Sequence, residues 1–310
     1  MPQFAVTACM KNEGAFVVEW VAHYLALGFD RVILVTNDCD DGTDLIAERL
    51  ARLAPVTHLR NDVPEGAFAQ EVGMAMLKTS GELAGVDWLL HCDADELLYL
   101  HMADPDIGRF LAQLPDCDAV AFDWRFAGTD LDVWPGGLVV DHCPRGSATR
   151  DKPETFSKTM FRPDLFGFFS DHMPKAPVRD GIVIRNSLGE ELPNGAIHHP
   201  RKSRFIRGTA DHMSWQAAEM RHYALRSRQA FAVKALRGFG INPVAGKYRV
   251  GSRFWRLANR KEVALAVNPL WRARLRANVN RFLADPELAA LQAVAVAAIA
   301  RKMALLGAGA

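Results

Sequence analysis

Val86-Asp87-Trp88-Leu89-Leu90-His91-Cys92-Asp93-Ala94-Asp95-Glu96 passes from an apolar segment straight into a cluster of carboxylates. The apolar part reads as a strand buried on both faces, and the acids stand where that strand leaves the sheet. Upstream the chain alternates two periodicities. Phe4 to Cys9 reads as strand; Ala15 to Leu27 reads as helix, with Val17, Trp20, Val21, Tyr24 and Leu25 on one stripe and Gly28 as its stop. Val32 to Val35 is again strand, Thr43 or Asp44 caps a helix through Leu53, Val56 to Leu59 is strand, and Ala67 to Leu83 is helix. This alternation predicts an α/β fold: a mostly parallel, Rossmann-like sheet flanked by helices, with ligands bound at the carboxyl ends of its strands.

Beyond Ala119 the texture changes. Ala119 to Trp124, Leu138 to Asp141, Phe156 to Phe161 and Gly181 to Arg185 read as short strands among Gly, Pro and charged turns. Helices are expected again over Ser214 to Gly238, Ser252 to Ala266, Leu270 to Ala284 and Pro286 to Leu306. Gly238, Gly240, Pro243 and Gly246 mark a boundary near residue 240.

The 310 residues carry 37 Lys+Arg and 36 Asp+Glu, a formal net charge of +1 that singles out no partner. Apolar residues at 49% and charged ones at 24% exclude a disordered or collagen-like chain. The balance hides an asymmetry. Residues 1–200 hold 16 basic and 31 acidic side chains, a net of −15, whereas residues 201–310 hold 21 and 5, a net of +16. The 5 cysteines are scattered and include no CxxC pair, so neither a disulfide framework nor a structural zinc site is expected. Met1-Pro2-Gln3-Phe4 lacks a basic segment, so no secretory signal is expected, and Leu288 to Ala300 falls short of the roughly 20 apolar residues of a membrane span. A cytoplasmic location follows from these readings as an expectation.

Asp93 and Asp95, spaced by one residue on an extended segment, point the same way. Such a pair suits a hard divalent cation, Mg2+ or Mn2+, that completes its shell with phosphate oxygens. A solvated acidic turn or a helix cap is the competing reading. Two further polar loops leave the same edge: Met10-Lys11-Asn12-Glu13-Gly14 after the first strand and Asn37-Asp38-Cys39-Asp40-Asp41-Gly42-Thr43 after the second. The absence of GxGxxG and GxxxxGK[ST] weighs against a dinucleotide-dependent dehydrogenase and a P-loop NTPase.

Lys11-Asn12-Glu13, Glu19-Trp20, His23-Tyr24-Leu25, Asn37 to Thr43 and Asp87 to Leu97, in that order, resemble the family 2-like glycosyltransferases of the GT-A fold, and more narrowly the group of bacterial family 2-like and eukaryotic family 92 enzymes. Trp124 to Gly128, Ser157 to Pro163 and His222 to Ser227, with Phe231, Lys234, Arg237 and Gly238, extend the resemblance over roughly residues 4–238. With the boundary near residue 240, it implies a GT-A glycosyltransferase domain at 1–240, followed by the basic helical extension read from composition at 241–310. The implied activity is a metal-dependent, inverting transfer of a sugar from a nucleotide-sugar donor, a UDP-sugar above all, to a hydroxyl of a glycan or glycolipid in surface polysaccharide assembly. By the same resemblance Asp95 is a metal ligand, Asp93 binds the ribose or shares the metal, and Asn12, Glu13, Asn37 and Asp38 line the nucleoside pocket. Thr36 stands where the family often has Asp. His222 matches a histidine that returns to the metal or diphosphate, and an imidazole suits manganese better than magnesium.

Lys158 and Arg162 supply positive charge that could meet diphosphate oxygens. An acceptor hydroxyl needs a base, for which Asp171, beside the aromatic run Phe166 to Phe169, and Glu154 are the candidate carboxylates, with His172 as an alternative. The basic third has three readings: a face against an anionic membrane surface, a site for an anionic glycan or nucleic acid, or a counter-charge packed on the chain's own acidic body. Nucleic acid is not an expected partner. The competing functions are a haloacid-dehalogenase-type phosphatase, which needs Thr or Val where Leu97 stands, and a non-catalytic polyanion-binding or membrane-surface protein.

Overall fold

A computed structural model describes residues 1–150, 156–205, 214–234 and 249–308. Its strands are β1 (Phe4–Met10), β2 (Arg31–Thr36), β3 (Val56–Arg60), β4 (Trp88–His91), β5 (Glu96–Leu100), β6 (Ala119–Phe126), β7 (Arg145–Gly146), β8 (Ser157–Phe161), β9 (Phe166–Phe169), β10 (Pro174–Pro177), β11 (Ile184–Asn186), β12 (Glu191–Leu192), β13 (Ala218–His222) and β14 (Val263–Ala264). Its helices are α1 (Gly14–Ala26), α2 (Thr43–Leu53), α3 (Ala69–Thr79), α4 (Ile107–Leu111), α5 (Val139–His142), α6 (Arg228–Val233), α7 (Arg253–Ala258), α8 (Pro269–Leu283) and α9 (Pro286–Ala308).

The main sheet runs β12-β11-β6-β8-β4-β1-β2-β3, with β1 to β4 all parallel and β8 antiparallel between β4 and β6. β13 joins the second half of β6 in parallel and β5 in antiparallel fashion. This is the expected α/β architecture, a mostly parallel sheet between helices. Alternate residues of β1 and β2 feed opposite cores. Val6, Ala8, Val32 and Leu34 face α1 and α2, while Ala5, Ile33 and Val35 face α3 and the β9 region. Helix α1 is enclosed rather than half-exposed, because α8 and α9 cover what the sheet leaves: Trp271, Leu275, Val279, Phe282, Leu288, Ala295 and Ile299 join its cluster.

Several expected elements take another form. Ser214 to Gly238 does not form one helix: Ala218–His222 is strand β13, and α6 starts only after Ser227, whose side chain accepts the Ala230 N–H. Ala-Glu-Met-Arg-His favours helix locally, but pairing with two neighbouring strands overrides that preference. The expected strand at Leu138 to Asp141 is the short helix α5, because the buried Glu19 carboxylate accepts the Val139 and Val140 N–H groups at 2.6 and 3.2 Å. The helix expected over Ser252 to Ala266 stops at Ala258, and Val263–Ala264 pairs with β7. Over Pro286–Leu305, α9 is long and apolar enough to cross a membrane, contrary to the shorter stretch read from sequence, yet Leu288, Ala295, Ala298 and Ile299 are buried in the protein.

Of the readings of the basic third, the counter-charge one describes a good part of it. Arg272 and Arg276 reach Asp141, Arg274 reaches Asp104, Lys261 reaches Asp130 and Lys302 reaches Asp40. These pairs are exposed enough that each contributes only about 0–1 kcal/mol. A buried exception sits on β13, where Glu219 accepts from Arg125 and Arg221, both at 2.7 Å. Burial alone would raise its carboxyl, but His101, Arg221 and Arg125 outweigh that and hold it at about 2, against an ordinary 4.5. A depressed acid stabilises the fold above its ordinary value, and that contribution is lost as pH falls toward 2. Glu219→Gln is therefore expected to cost about 3 kcal/mol at neutral pH. Urea unfolding of both proteins should show the gap closing between pH 4.5 and 2; a gap independent of pH contradicts the assignment.

Candidate active site at the carboxyl edge of the sheet

The parallel register aligns Met10 with Thr36 and Thr7 with His91, so the loops after β1, β2 and β4 emerge side by side. The turn Asp93 to Glu96 is closed on itself. Glu96 Oε2 accepts the Asp93 N–H at 2.8 Å, and the Asp93 carbonyl accepts the Glu96 N–H at 3.1 Å. Each carbonyl of the turn has a donor from elsewhere as well: Trp20 Nε1 on Asp93, Arg226 on Ala94, the Tyr223 N–H on Asp95 and the Tyr24 hydroxyl on Glu96. The carboxylates thus stand on a fixed backbone frame, with the Asp93 side chain 39% exposed.

Two lysines meet them. The β4–β8 register pairs Leu90 with Met160, so Lys158, two residues earlier on the antiparallel strand, arrives beside Asp93. Its ammonium lies 3.0 Å from Asp93 Oδ2 and 3.4 Å from Glu96 Oε2, and donates to the Asp171 carbonyl at 2.7 Å. Asp95 Oδ2 takes Lys234 Nζ at 2.6 Å, and His222 Nε2 stands 3.5 Å away. His222 arrives through β13, whose register sets it opposite Glu96. Burial would raise both aspartates, but Lys158 holds Asp93 below the usual carboxylate range, and Lys234 with His222 holds Asp95 well below it. Glu96 differs: burial pushes it well above its ordinary value despite Lys158.

The first two loops are laced together. Asn12, at φ +57°, accepts the Asp40 N–H through Oδ1, and Thr43 Oγ1 accepts the Glu13 N–H. Asp38, at φ +44°, is exposed and bonded to Asn37 Nδ2 at 2.9 Å and Lys11 Nζ at 3.4 Å. Glu13 is buried on Arg226 at 2.5 Å, so its carboxylate is directed to an internal cation. Arg226 itself has φ +58°, uncommon for a side chain other than Gly, and its guanidinium lies 3.7 Å from the Phe16 ring centroid. A cleft of about 160 Å³ between these loops, α6 and α9 reaches Lys234 and Lys302.

The other candidates divide. Asp171 is at this edge, with its carbonyl on Lys158 and its carboxylate 3.5 Å from His172 Nε2. Burial lowers His172 to about 4, and its ring stands between the Ser157 carbonyl at Nδ1 and the Asp171 carboxylate at Nε2. Arg162 is not brought to the site. It lies past the far end of β8, beside the start of β4, with its guanidinium 5.4 Å from the Trp88 ring centroid. Glu154 lies outside the described residues, as do Arg237 and Gly238.

Among the described residues no three His, Cys, Asp or Glu side chains converge as a metal cluster. Asp93 is turned onto Lys158. Asp95 Oδ2 and His222 Nε2 stand 3.5 Å apart, a spacing that two ligands of one divalent cation can have, although Lys234 holds the same oxygen at 2.6 Å; among the described residues the buried His222 Nδ1 has no partner. Sequence reasoning missed Arg226, Lys234 as the Asp95 partner, and Gln70, whose amide lies 3.4 Å from Asp93 Oδ1. The signal for the first two was the run Arg221 to Lys234, which carries several cations and no acid of its own.

No protein-family model matches the chain, and no curated protein matches it. Among solved structures it is similar to S. aureus TarS 1-349 in complex with UDP, with 13% identity, a TM-score of 0.35, and coverage of 53% of this chain and 47% of that one. It is also similar to HddC from Yersinia pseudotuberculosis, with 11% identity, a TM-score of 0.36 and coverage of 59% and 89%. A third is glucosyl-3-phosphoglycerate synthase from Mycobacterium tuberculosis in complex with Mn2+, UDP and phosphoglyceric acid, with 12% identity, a TM-score of 0.30 and coverage of 53% and 57%. The match spans about half the length of the TarS fragment.

Proposed function

We propose that the chain is a glycosyltransferase that moves a sugar from a nucleotide-sugar donor, a UDP-sugar above all, to a hydroxyl of a glycan or glycolipid acceptor, with inversion, in surface polysaccharide assembly. The observation that carries this reading is the fixed Asp93–Asp95 turn, flanked by the Lys158 and Lys234 ammoniums at the edge where the β1 and β2 loops converge. Asp95 and His222 would hold the divalent cation, Mn2+ in preference to Mg2+ because of the imidazole. When bound, such an ion neutralises charge on the departing diphosphate. Lys158 and Lys234 add positive charge on either side. Asn12, Asn37 and Asp38 face the nucleoside, with Glu13 acting through Arg226 to hold the first loop. Asp171 is the carboxylate at this edge that takes the acceptor hydroxyl proton as the new glycosidic bond forms and the bond to the diphosphate breaks.

The test is release of nucleoside diphosphate from UDP-, GDP- and TDP-sugars with candidate acceptors and Mn2+. Asp95→Asn keeps the shape of the side chain and removes its charge, and should lower turnover by about 10²-fold or more. Turnover that survives this change intact contradicts the reading.

A further inference from the structure

Lys175 lies on β10, just after the candidate base Asp171, and only 3% of it is exposed. Its ammonium donates to three backbone carbonyls, those of Ala196 at 2.9 Å, His199 at 3.1 Å and Lys202. A buried ammonium is costly unless its protons are taken up, and all three acceptors belong to one loop. The Ala176 N–H adds a bond to the Ile197 carbonyl at 3.1 Å, while Ala196 and Ile197 enter the core and Phe205 packs on it. What is held so firmly is a cationic tip. Leu192 to Phe205 contains no acid, and His198, His199, Arg201 and Lys202 are exposed. Neither Arg201 nor Lys202 has an ion pair among the described residues. The Arg201 N–H donates to His199 Nδ1 at 3.2 Å, so the neutral ring keeps its own proton on Nε2 as a donor. The tip stands on the acceptor side of the site. The Arg204 guanidinium lies 3.7 Å from the Phe156 ring centroid, Phe156 stacks on His172 at 4.8 Å, and His172 Nε2 is 3.5 Å from the Asp171 carboxylate. Burial pushes Lys175 down to about 8; Asp171 opposes that shift and Lys202 adds to it, so both charges act on it.

We propose that this pinned tip is an anion site for the acceptor, and that the acceptor is a phosphate ester whose phosphate rests on Arg201, Lys202 and the two imidazoles while its hydroxyl reaches Asp171. Resting on the glycosyltransferase reading, this gives the acceptor its chemical class. A guanidinium fork, an ammonium and imidazole N–H groups match phosphate oxygens, whereas a neutral glycan leaves their charge unmet. The ester belongs either to a soluble glycan phosphate or to a lipid headgroup.

The His198 and His199 imidazole resonances of the intact chain report on the tip directly. With UDP and Mg2+ present to fill the nucleotide edge, glucose-6-phosphate should move both saturably at fixed pH and ionic strength, and glucose should move neither. Arg201→Ser combined with Lys202→Ser removes two exposed side chains and leaves the Lys202 carbonyl on Lys175. The double variant should bind glucose-6-phosphate at least about fivefold more weakly. Cosedimentation with phosphatidylglycerol vesicles, absent with phosphatidylcholine and lost in the double variant, identifies the ester as a lipid headgroup; glucose-6-phosphate binding without it identifies a soluble glycan phosphate. Imidazole signals that stay put, that respond equally to glucose, or that respond with equal affinity in the folded double variant overturn the proposal. If UDP binds and the imidazoles do not respond to the phosphate ester, this inference alone fails; if no nucleoside diphosphate binds, the glycosyltransferase reading fails.

Discussion

Lys158→Met is expected to lower folding stability by about 3–5 kcal/mol and to abolish measurable nucleotide binding. The side chain is fully buried and its ammonium serves Asp93, Glu96 and the Asp171 carbonyl at once. Removing it leaves the buried Glu96 and the 39% exposed Asp93 carboxylate beside each other without their cation, which costs more than the loss of a surface pair. The pH dependence has a definite sign. Burial disfavours the charged lysine, but Asp93 and Glu96 outweigh it and raise Lys158 above its ordinary 10.5, so its contribution is complete below that value and is lost only as pH rises through the raised one. Asp93 is depressed below its ordinary 3.8, so its share is complete above that and is lost as pH falls. The difference between wild type and variant should be widest between these limits. Urea unfolding across pH measures it; a loss below about 1 kcal/mol would mean that Lys158 behaves as a solvated surface lysine.

Arg226→Met should cost a similar amount, about 3–5 kcal/mol, and Glu13→Gln in the same protein should restore much of it. The guanidinium bonds Glu13 at 2.5 Å and the Ala94 carbonyl at 2.6 Å, and it is buried with both partners. Most of the penalty is the orphaned Glu13 charge, so neutralising Glu13 removes most of it. Methionine and arginine bear the positive φ alike, which keeps backbone strain out of the comparison. A double-mutant cycle reads the coupling directly, and strictly additive single effects would contradict the buried pair. The same cycle bears on function, since Arg226 ties the first loop to the Asp93–Asp95 turn.

The sheet and its acidic edge were legible because both depend on local pattern. Trp88-Leu89-Leu90 is short, apolar and followed at once by the acids, and parallel strands put their loops on one edge whatever the details. What the sequence concealed depends on distant partners. The polarity of β8 was unknown, so Lys158 and Arg162 looked equally available, although antiparallel pairing with β4 carries one to the site and the other to the opposite edge. Ala218–His222 has a helical composition and becomes strand through β5 and β6, which also delivers His222. The run Leu138 to Asp141 turns helical on the Glu19 carboxylate, more than a hundred residues away in sequence. Lys234 and Asp95 lie 139 positions apart, and no spacing rule joins them.

The central claim is that this edge binds a nucleoside diphosphate. Calorimetric titration of the intact chain with UDP, GDP and TDP, each with and without Mn2+, tests it most directly. The expected result is saturable binding of at least one of them, strengthened by Mn2+ and lost in Asp95→Asn. Folded wild-type protein that takes up none of the nucleotides, with or without Mn2+, would contradict it.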